Sequence, residues 1–297
     1  MTGARDSVRQ GGRVPAVIVV SSHVVRGSVG NRVSVFALET MGYPVWAVPT
    51  IILPWHPGHG RANRIVPAAG DFAALMHDVE NAPWLGEVGA VLSGYLGDAT
   101  QADAIASLVK AVKRRNPDAI YLCDPIMGDR DGLYVPQAVA AAQRDRLMPI
   151  ADIATPNRYE LAWMGGAELD SLDSIASIAA FAAKAGPRTM LVTSAPGDAP
   201  RSIANLLLTP EETYMAEHPA IENPLSGTGD VLAALFLAWL LGGAAPSEAL
   251  RKAAAAVYEV VTSAAGRGAD ELMLETDVAS FTQPGDVVTL RRLARVV

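Results

Sequence analysis

Short runs of branched apolar residues alternate along the chain with longer stretches rich in alanine and leucine. Residues 14–21 (VPAVIVVS) are almost continuously apolar and close on small polar side chains, the pattern of a parallel strand buried on both faces. Segments 45–52, 88–92, 119–123, 150–154 and 189–193 repeat it and predict further strands. Between them, 31–41, 71–81, 98–115, 138–147, 157–164 and 171–185 carry helical spacing. Asn31 is the expected N-cap of the first helix, because its side chain can accept from free backbone N–H groups. The 98–115 helix has an aspartate near its start and Lys110, Lys113, Arg114 and Arg115 at its end, which matches the helix macrodipole. Segment 53–67, with prolines at 54, 57 and 67 and Pro49 just before, does not fit regular structure. Residues 127–135 form a glycine-rich loop. Segments 202–208 and 212–217 predict an antiparallel hairpin, and 229–241 and 247–265 two strong helices.

Strands that alternate with helices build βαβ units and a mostly parallel sheet covered on both faces. No internal repeat and no low-complexity linker divides the chain. The expected organisation is an N-terminal tail over 1–13 and one α/β domain over 14–297.

Composition narrows the function. Half of the 297 residues are hydrophobic, so a large core is available. The 24 Lys and Arg against 31 Asp and Glu give a formal charge of −7. That balance argues against a nucleic-acid coat or an anionic-membrane binder, and leaves a small anionic ligand possible. A single cysteine, Cys123, forms no internal disulfide and no Cys-based zinc site, so a reducing cytoplasm is expected. The first residues lack the apolar run of a signal peptide. The longest apolar helical run, 231–241, falls well short of the ~20 residues that cross a bilayer.

In a parallel sheet, ligands bind beyond the carboxyl ends of the strands. Ser21-Ser22-His23, Ser93-Gly94-Tyr95, Asp124-Pro125, Thr155-Pro156-Asn157 and Thr193-Ser194 all stand where a predicted strand gives out. The most informative segment is Pro224-Leu225-Ser226-Gly227-Thr228-Gly229-Asp230, which leads into an apolar helix. Two glycines beside a helix N-terminus let backbone N–H groups approach an anion. Asp230 would repel a phosphate, but it makes sense as a base for a hydroxyl next to one. The alternative, an aspartate that merely stabilises the helix start, stays open at this point. There is no G-x-x-x-x-G-K-[ST] loop, no G-x-G-x-x-G after the first strand, no G-x-S-x-G elbow and no H-E-x-x-H pair. His56 and His59 alone make a poor zinc site.

The motifs taken together resemble the pyridoxal kinases. Ser22-His23-Val24-Val25-Arg26-Gly27-Ser28-Val29-Gly30-Asn31 is similar to that family's first signature. Val91–Gly97 (VLSGYLG), Asp124–Asp129 (DPIMGD), Leu133–Pro136 (LYVP), Thr155–Glu160 (TPNRYE) and Gly227–Asp230 (GTGD) follow in order. The last marks the wider ribokinase-like superfamily; the first two are narrower. The matches run from residue 16 to about residue 262. The resemblance implies a ribokinase-like fold, a central mostly parallel sheet with helices on both faces, and a homodimer. It implies ATP-dependent phosphorylation of the 5′-hydroxymethyl group of a B6 vitamer.

Roles carry over residue by residue. Asp230 matches the catalytic base, and the N–H groups of Gly227, Thr228 and Gly229 an anion hole for the transferred phosphoryl group. Ser22 matches a ligand of the pyridine ring and Tyr95 an aromatic beside it; His56, Pro57 and Gly58 fall in the substrate loop. Asp124 and Glu160 match acids near the ATP phosphates, suited to Mg²⁺ through water, and Thr155 goes with a monovalent cation such as K⁺. Asp129 and Tyr134 belong to a flap over ATP. Asn157, Thr193 and Ser194 fall on the nucleotide side, and residues 218–221 align near the adenine. Cys123 is expected to pack, and Trp55 is the one tryptophan that could stack on substrate.

Three departures stand out. Pro57 replaces a threonine of the family's Asn-His-Thr-Gly-Tyr-Gly, so it offers neither hydroxyl nor N–H. Arg26 stands where tyrosine is frequent and Ser28 where histidine is frequent. All three are expected on the substrate side. They keep open a kinase for a related heterocycle such as hydroxymethylpyrimidine. A non-catalytic pyridoxal-phosphate or nucleotide binder is the reading of another class, against which the intact Asp230 argues.

Overall fold

The computed structural model describes residues 14–222 and 225–294. The tail expected over 1–13 and the opening Pro224 of the glycine motif lie outside these residues. In chain order the elements are β1 (Ala16–Val24), α1 (Asn31–Thr40), β2 (Val45–Leu53), α2 (Ala69–Glu80), β3 (Val88–Ser93), α3 (Gln101–Arg115), β4 (Ile120–Cys123), the two-residue strands β5 (Gly128–Asp129) and β6 (Gly132–Leu133), α4 (Gln137–Ala142), β7 (Ile153–Ala154), α5 (Arg158–Gly165), α6 (Leu172–Ala185), β8 (Thr189–Pro196), β9 (Ser202–Leu208), β10 (Thr213–Pro219), α7 (Thr228–Leu241), α8 (Pro246–Gly266), α9 (Val278–Thr282) and β11 (Thr289–Leu293).

The main sheet runs β11-β10-β9-β8-β7-β4-β3-β1-β2. Pairings from β2 across to β8 are parallel. The β8–β9, β9–β10 and β10–β11 pairings are antiparallel. Helices cover both faces, which is why the strands are continuously apolar. Ile18 and Val20 of β1 face one layer with Phe72, Met76, Ile105 and Leu108. Val17 and Val19 face the other with Val33, Leu38, Leu235 and Phe236. Helix α7 is buried from Val231 through Ala238, because it packs against both α1 and α8 as well as lying in that layer.

The structure corrects several local expectations. Asn31 does not cap α1. The cap position is Gly30, with φ +57°, and the Asn31 side chain instead donates to the Val48 carbonyl at 3.1 Å, tying α1 to β2. The predicted 138–147 helix is α only to Ala142 and continues as a π turn over Gln143–Leu147. The expected 150–154 strand shrinks to Ile153–Ala154, because Pro149 leads a 3₁₀ turn over Met148–Ile150. The C-terminal strand β11 was not anticipated. Its sequence TLRRL is mostly exposed at the sheet edge and shows no buried face to read.

Candidate active site

A cavity of about 710 Å³ crosses the carboxyl ends of the parallel strands. Most of the residues to which the motifs assign a site role line it. Ser22 comes from β1; His56, Pro57 and Gly58 follow β2; Tyr95 follows β3; Asp124 follows β4. Thr155, Asn157 and Glu160 follow β7, Thr193 and Ser194 belong to β8, and Gly227–Asp230 open α7. Asp129 belongs to the β5–β6 hairpin and Tyr134 follows it.

Two strand irregularities border this space. The β1–β2 register slips between Ser21 and His23, where β2 carries one extra residue opposite Ser22. The β8–β9 register slips between Val192 and Ala195, at Thr193 and Ser194, and Ser194 has φ +59°. An extra residue in a strand turns its side chain out of the regular alternation, and bulges of this kind recur beside active sites.

The α7 end of the cavity is built from close backbone contacts. Gly227, at the N-cap of α7, has φ +92°, and a Cβ there would lie 2.0 Å from the Ser28 carbonyl oxygen. A Cβ on Gly30 would lie 2.3 Å from both oxygens of Ser22. Only glycine permits both the positive φ and the approach. No side chain caps α7, so its first N–H groups remain available toward the cavity. Asp230 sits in that first turn and accepts from the Gly30 N–H. Burial lifts its carboxyl to about 6, against the lowering effect of that hydrogen bond.

The opposite wall holds two buried acids. Asp124 Oδ1 accepts from the Thr155 hydroxyl at 2.8 Å. Burial, and then the charge of Asp230, push Asp124 to about 8. Glu160 is raised well above the ordinary range, first by burial and then by Asp124. Its Oε1 accepts from the Met127 and Gly128 N–H groups at 2.9 and 3.3 Å, and its Oε2 from Asn157 at 2.9 Å. Asn157 caps α5 through the Tyr159 and Glu160 N–H groups, and its amide donates to the Gly128 carbonyl at 2.8 Å. One capping box therefore also pins the base of the flap.

The third wall is the loop after β2. His56 Nδ1 accepts from Gly58 N–H at 3.1 Å and meets the Ser226 hydroxyl at 3.3 Å. Burial holds the His56 imidazole below its usual pKa. Of the three departures from the family pattern, Pro57 alone lines the cavity. The expectation for Arg26 and Ser28 is thus corrected: Arg26 pairs with Asp270, and Ser28 donates to the Leu272 carbonyl. Residues 218–221 and Trp55 are likewise absent from the lining. The Trp55 indole donates to Gly60 O at 3.1 Å. Cys123 is fully buried, and burial pushes its thiol up to about 12, as suits a packing residue.

Lining residues to which no site role was assigned are Val29, Ile51, Leu53, Arg64, Ile126, Gly128 and Ser226. Most of them flank matched positions, so the strand-end rule could have found them. Arg64 lies in the proline-rich segment, where no periodicity points to it.

The wall carries four carboxyls, Asp124, Asp129, Glu160 and Asp230, against one arginine, Arg64. Such a surface needs cations to accept a nucleotide polyphosphate. Among the described residues, no group of three or more His, Cys, Asp or Glu side chains is placed to hold an ion alone. Mg²⁺ keeps several waters and binds through one or two carboxylates together with substrate phosphates. The oxygen donors of Asp124, Thr155 and Glu160 fit that chemistry, and a bound cation would keep the raised acids ionised.

Residues 85–274 match the family model described as phosphomethylpyrimidine kinase. A pyridoxal kinase of Rubrobacter xylanophilus is 37% identical over 283 residues, spanning 94% of this chain and 97% of that protein. One of Pseudomonas entomophila is 37% identical over 267 residues, 88% of this chain and 92% of that protein. The solved pyridoxal kinase of Leishmania donovani, in complex with ADP and pyridoxamine, superposes with a TM-score of 0.89 at 27% identity. That alignment covers 94% of this chain and 99% of the other. Chain-long identity and a shared fold lead to one conclusion: the protein belongs to the pyridoxal kinase family.

Proposed function

We infer that the protein is a kinase that transfers the γ-phosphoryl group of ATP to the 5′-hydroxymethyl group of a B6 vitamer. One observation carries this reading. The cavity joins the uncapped start of α7, with Asp230 in its first turn, to a wall of strand-end polar groups, in a chain whose full-length relatives are pyridoxal kinases. Solved relatives that hold ADP with pyridoxamine or pyridoxine support the substrate pair.

In this mechanism Ser22 and Tyr95 hold the pyridine ring, and His56 and Gly58 close the vitamer side. The Asp230 carboxylate takes the hydroxyl proton as that oxygen attacks the γ-phosphorus, and the bond from phosphorus to the departing ADP oxygen breaks. Backbone N–H groups of Gly227, Thr228 and Gly229 hold the charge that develops on the transferred group. Asp129, Tyr134, Asn157, Thr193 and Ser194 line the nucleotide side, and the flap excludes water. Asp124 and Glu160 would hold Mg²⁺ and Thr155 would contribute to a K⁺ site, ions that would supply neutralising charge beside the phosphates. A cytoplasmic homodimer completes the reading. Among the described residues no helix is long and apolar enough to cross a membrane.

The test offers ATP, Mg²⁺ and K⁺ with pyridoxal, pyridoxine, pyridoxamine or hydroxymethylpyrimidine in separate reactions, with products read by mass spectrometry. A phosphorylated B6 vitamer as main product is expected. Pro57 and the phosphomethylpyrimidine kinase match favour a second reading, the pyrimidine as acceptor. A phosphorylated pyrimidine without B6 product would establish that one instead.

A further inference from the structure

Loops on two sides of the cavity mouth meet on one carboxylate that belongs to no site motif. Glu271 lies between α8 and α9 and is 8% exposed. Its Oε1 stands 2.7 Å from His59 Nε2, and its Oε2 accepts the Ser28 N–H at 3.2 Å. Room for it exists because residue 27 is glycine: φ there is +111°, and a Cβ would lie 2.5 Å from Oε1. The neighbours of Glu271 extend the contact. Asp270 accepts two hydrogen bonds from Arg26, at 2.8 and 2.9 Å, and the Leu272 carbonyl accepts from Ser28 Oγ at 2.7 Å.

Both partners of Glu271 lead into the site. His59 ends the 3₁₀ turn Pro57–His59, whose first two residues line the cavity. Ser28 carries the carbonyl on which Gly227 of the anion loop rests. The Arg26–Asp270 pair is exposed on both sides, so solvent screens it and it contributes little. The Glu271–His59 contact is more enclosed, with the glutamate side chain 11% exposed, and a charge-assisted bond there is worth more.

We propose that Glu271 is a positioning residue for the vitamer side of the site: it clasps the loop that carries His56, Pro57 and Gly58 against the first loop and so sets the width of the vitamer pocket. The proposal rests on the B6 kinase reading above. Substrate contacts made by a clasped loop are lost as binding when the clasp opens, while the Asp230 end, held by α7, keeps its chemistry.

Two measurements test it. In steady-state kinetics, Glu271→Ala is expected to raise the vitamer KM ~10-fold, with the ATP KM within about twofold and kcat within about threefold. Glu271→Gln keeps an acceptor for Ser28 and a neutral partner for His59, so its rise should be smaller. Arg26→Ala should leave the vitamer KM within about twofold. A merely structural role would lower kcat through loss of active enzyme and leave both KM values alone; that pattern would overturn the proposal. In hydrogen exchange without substrate, the amides of Gly58, His59 and Gly60, which close the turn, should exchange ~10-fold faster in Glu271→Ala, with β1 and β3 unchanged. Unchanged exchange at those three amides would overturn the clasp itself. If Glu271→Ala does not fold, Glu271→Gln carries both readouts, and no movement in either overturns it. A wild-type protein that makes no phosphorylated vitamer would sink the kinase reading, while the exchange measurement would still decide the clasp.

Discussion

Asp230 must be ionised to take a proton, and its surroundings work against ionisation. Burial lifts it from the ordinary 3.8 to about 6. Activity is therefore expected to fall as pH drops through about 6, tenfold per unit in kcat/KM, and to recover above it. Asp230→Asn should lower kcat ~10²-fold or more with little change in ATP KM, and should erase that acid limb. A pH–rate profile of both proteins checks this; a mutant that keeps near-normal turnover would remove Asp230 from the mechanism. Asp124 makes a different prediction. Its folded value of about 8 stands above the ordinary 3.8 of an unfolded chain. Below ~4 both states are protonated and nothing is lost. Between ~4 and ~8 the folded state binds more protons than the unfolded one, so stability falls as pH rises. Asp124→Asn should then raise the melting temperature of cation-free protein by several degrees at pH 8 and very little at pH 4. Equal shifts at both pH values would contradict the burial argument.

At the scale of elements, the site depends on helix starts that are treated in opposite ways. Helix α7 begins uncapped, and this leaves its N–H groups free for an anion. Helix α5 begins with a complete capping box, whose Asn157 and Glu160 spend their remaining capacity on the flap. Asn157→Ala should cost about 1 kcal/mol in lost capping, a drop of ~2–4 °C in melting temperature for a domain of this size. Because the Gly128 anchor goes with it, the ATP KM should also rise severalfold while the vitamer KM holds. Calorimetry and steady-state kinetics separate the two effects. A stability loss with no change in ATP KM would leave Asn157 as a cap alone.

For the whole molecule, the cavity draws on the β1, β2, β3, β4, β7 and β8 ends and on α7, so a ligand in it bridges the parallel half of the sheet and the helical layer of α1, α7 and α8. A ligand that binds the folded state alone adds about 2.7 kcal/mol at a hundredfold excess over Kd. ADP with Mg²⁺ should therefore raise the melting temperature by several degrees. Asp230→Asn should keep that shift, since it removes a proton acceptor and no phosphate donor. Loss of the shift in the mutant would mean that Asp230 holds the nucleotide site together.

Much of this protein was legible along the chain because its signals are local. A strand buried on both faces must be continuously apolar, as at Ala16–Val20, and a glycine-threonine-glycine turn before an apolar helix can be read without knowing what surrounds it. The fold class, the order of the parallel strands' polar ends and the residues that line the cavity follow from such patterns together with the family resemblance. Tertiary structure alone decided the rest. Asn31 abandons its cap because the Val48 carbonyl is within reach, and a bulge in β8 turns Ser194 toward the cavity. Arg26 and Ser28 leave the substrate wall for a segment about 244 residues away in sequence, and β11 exists only as a partner for the exposed edge of β10. Each of these depends on a neighbour distant in the chain, and hydrophobic periodicity carries no information about which distant backbone will stand 3 Å away.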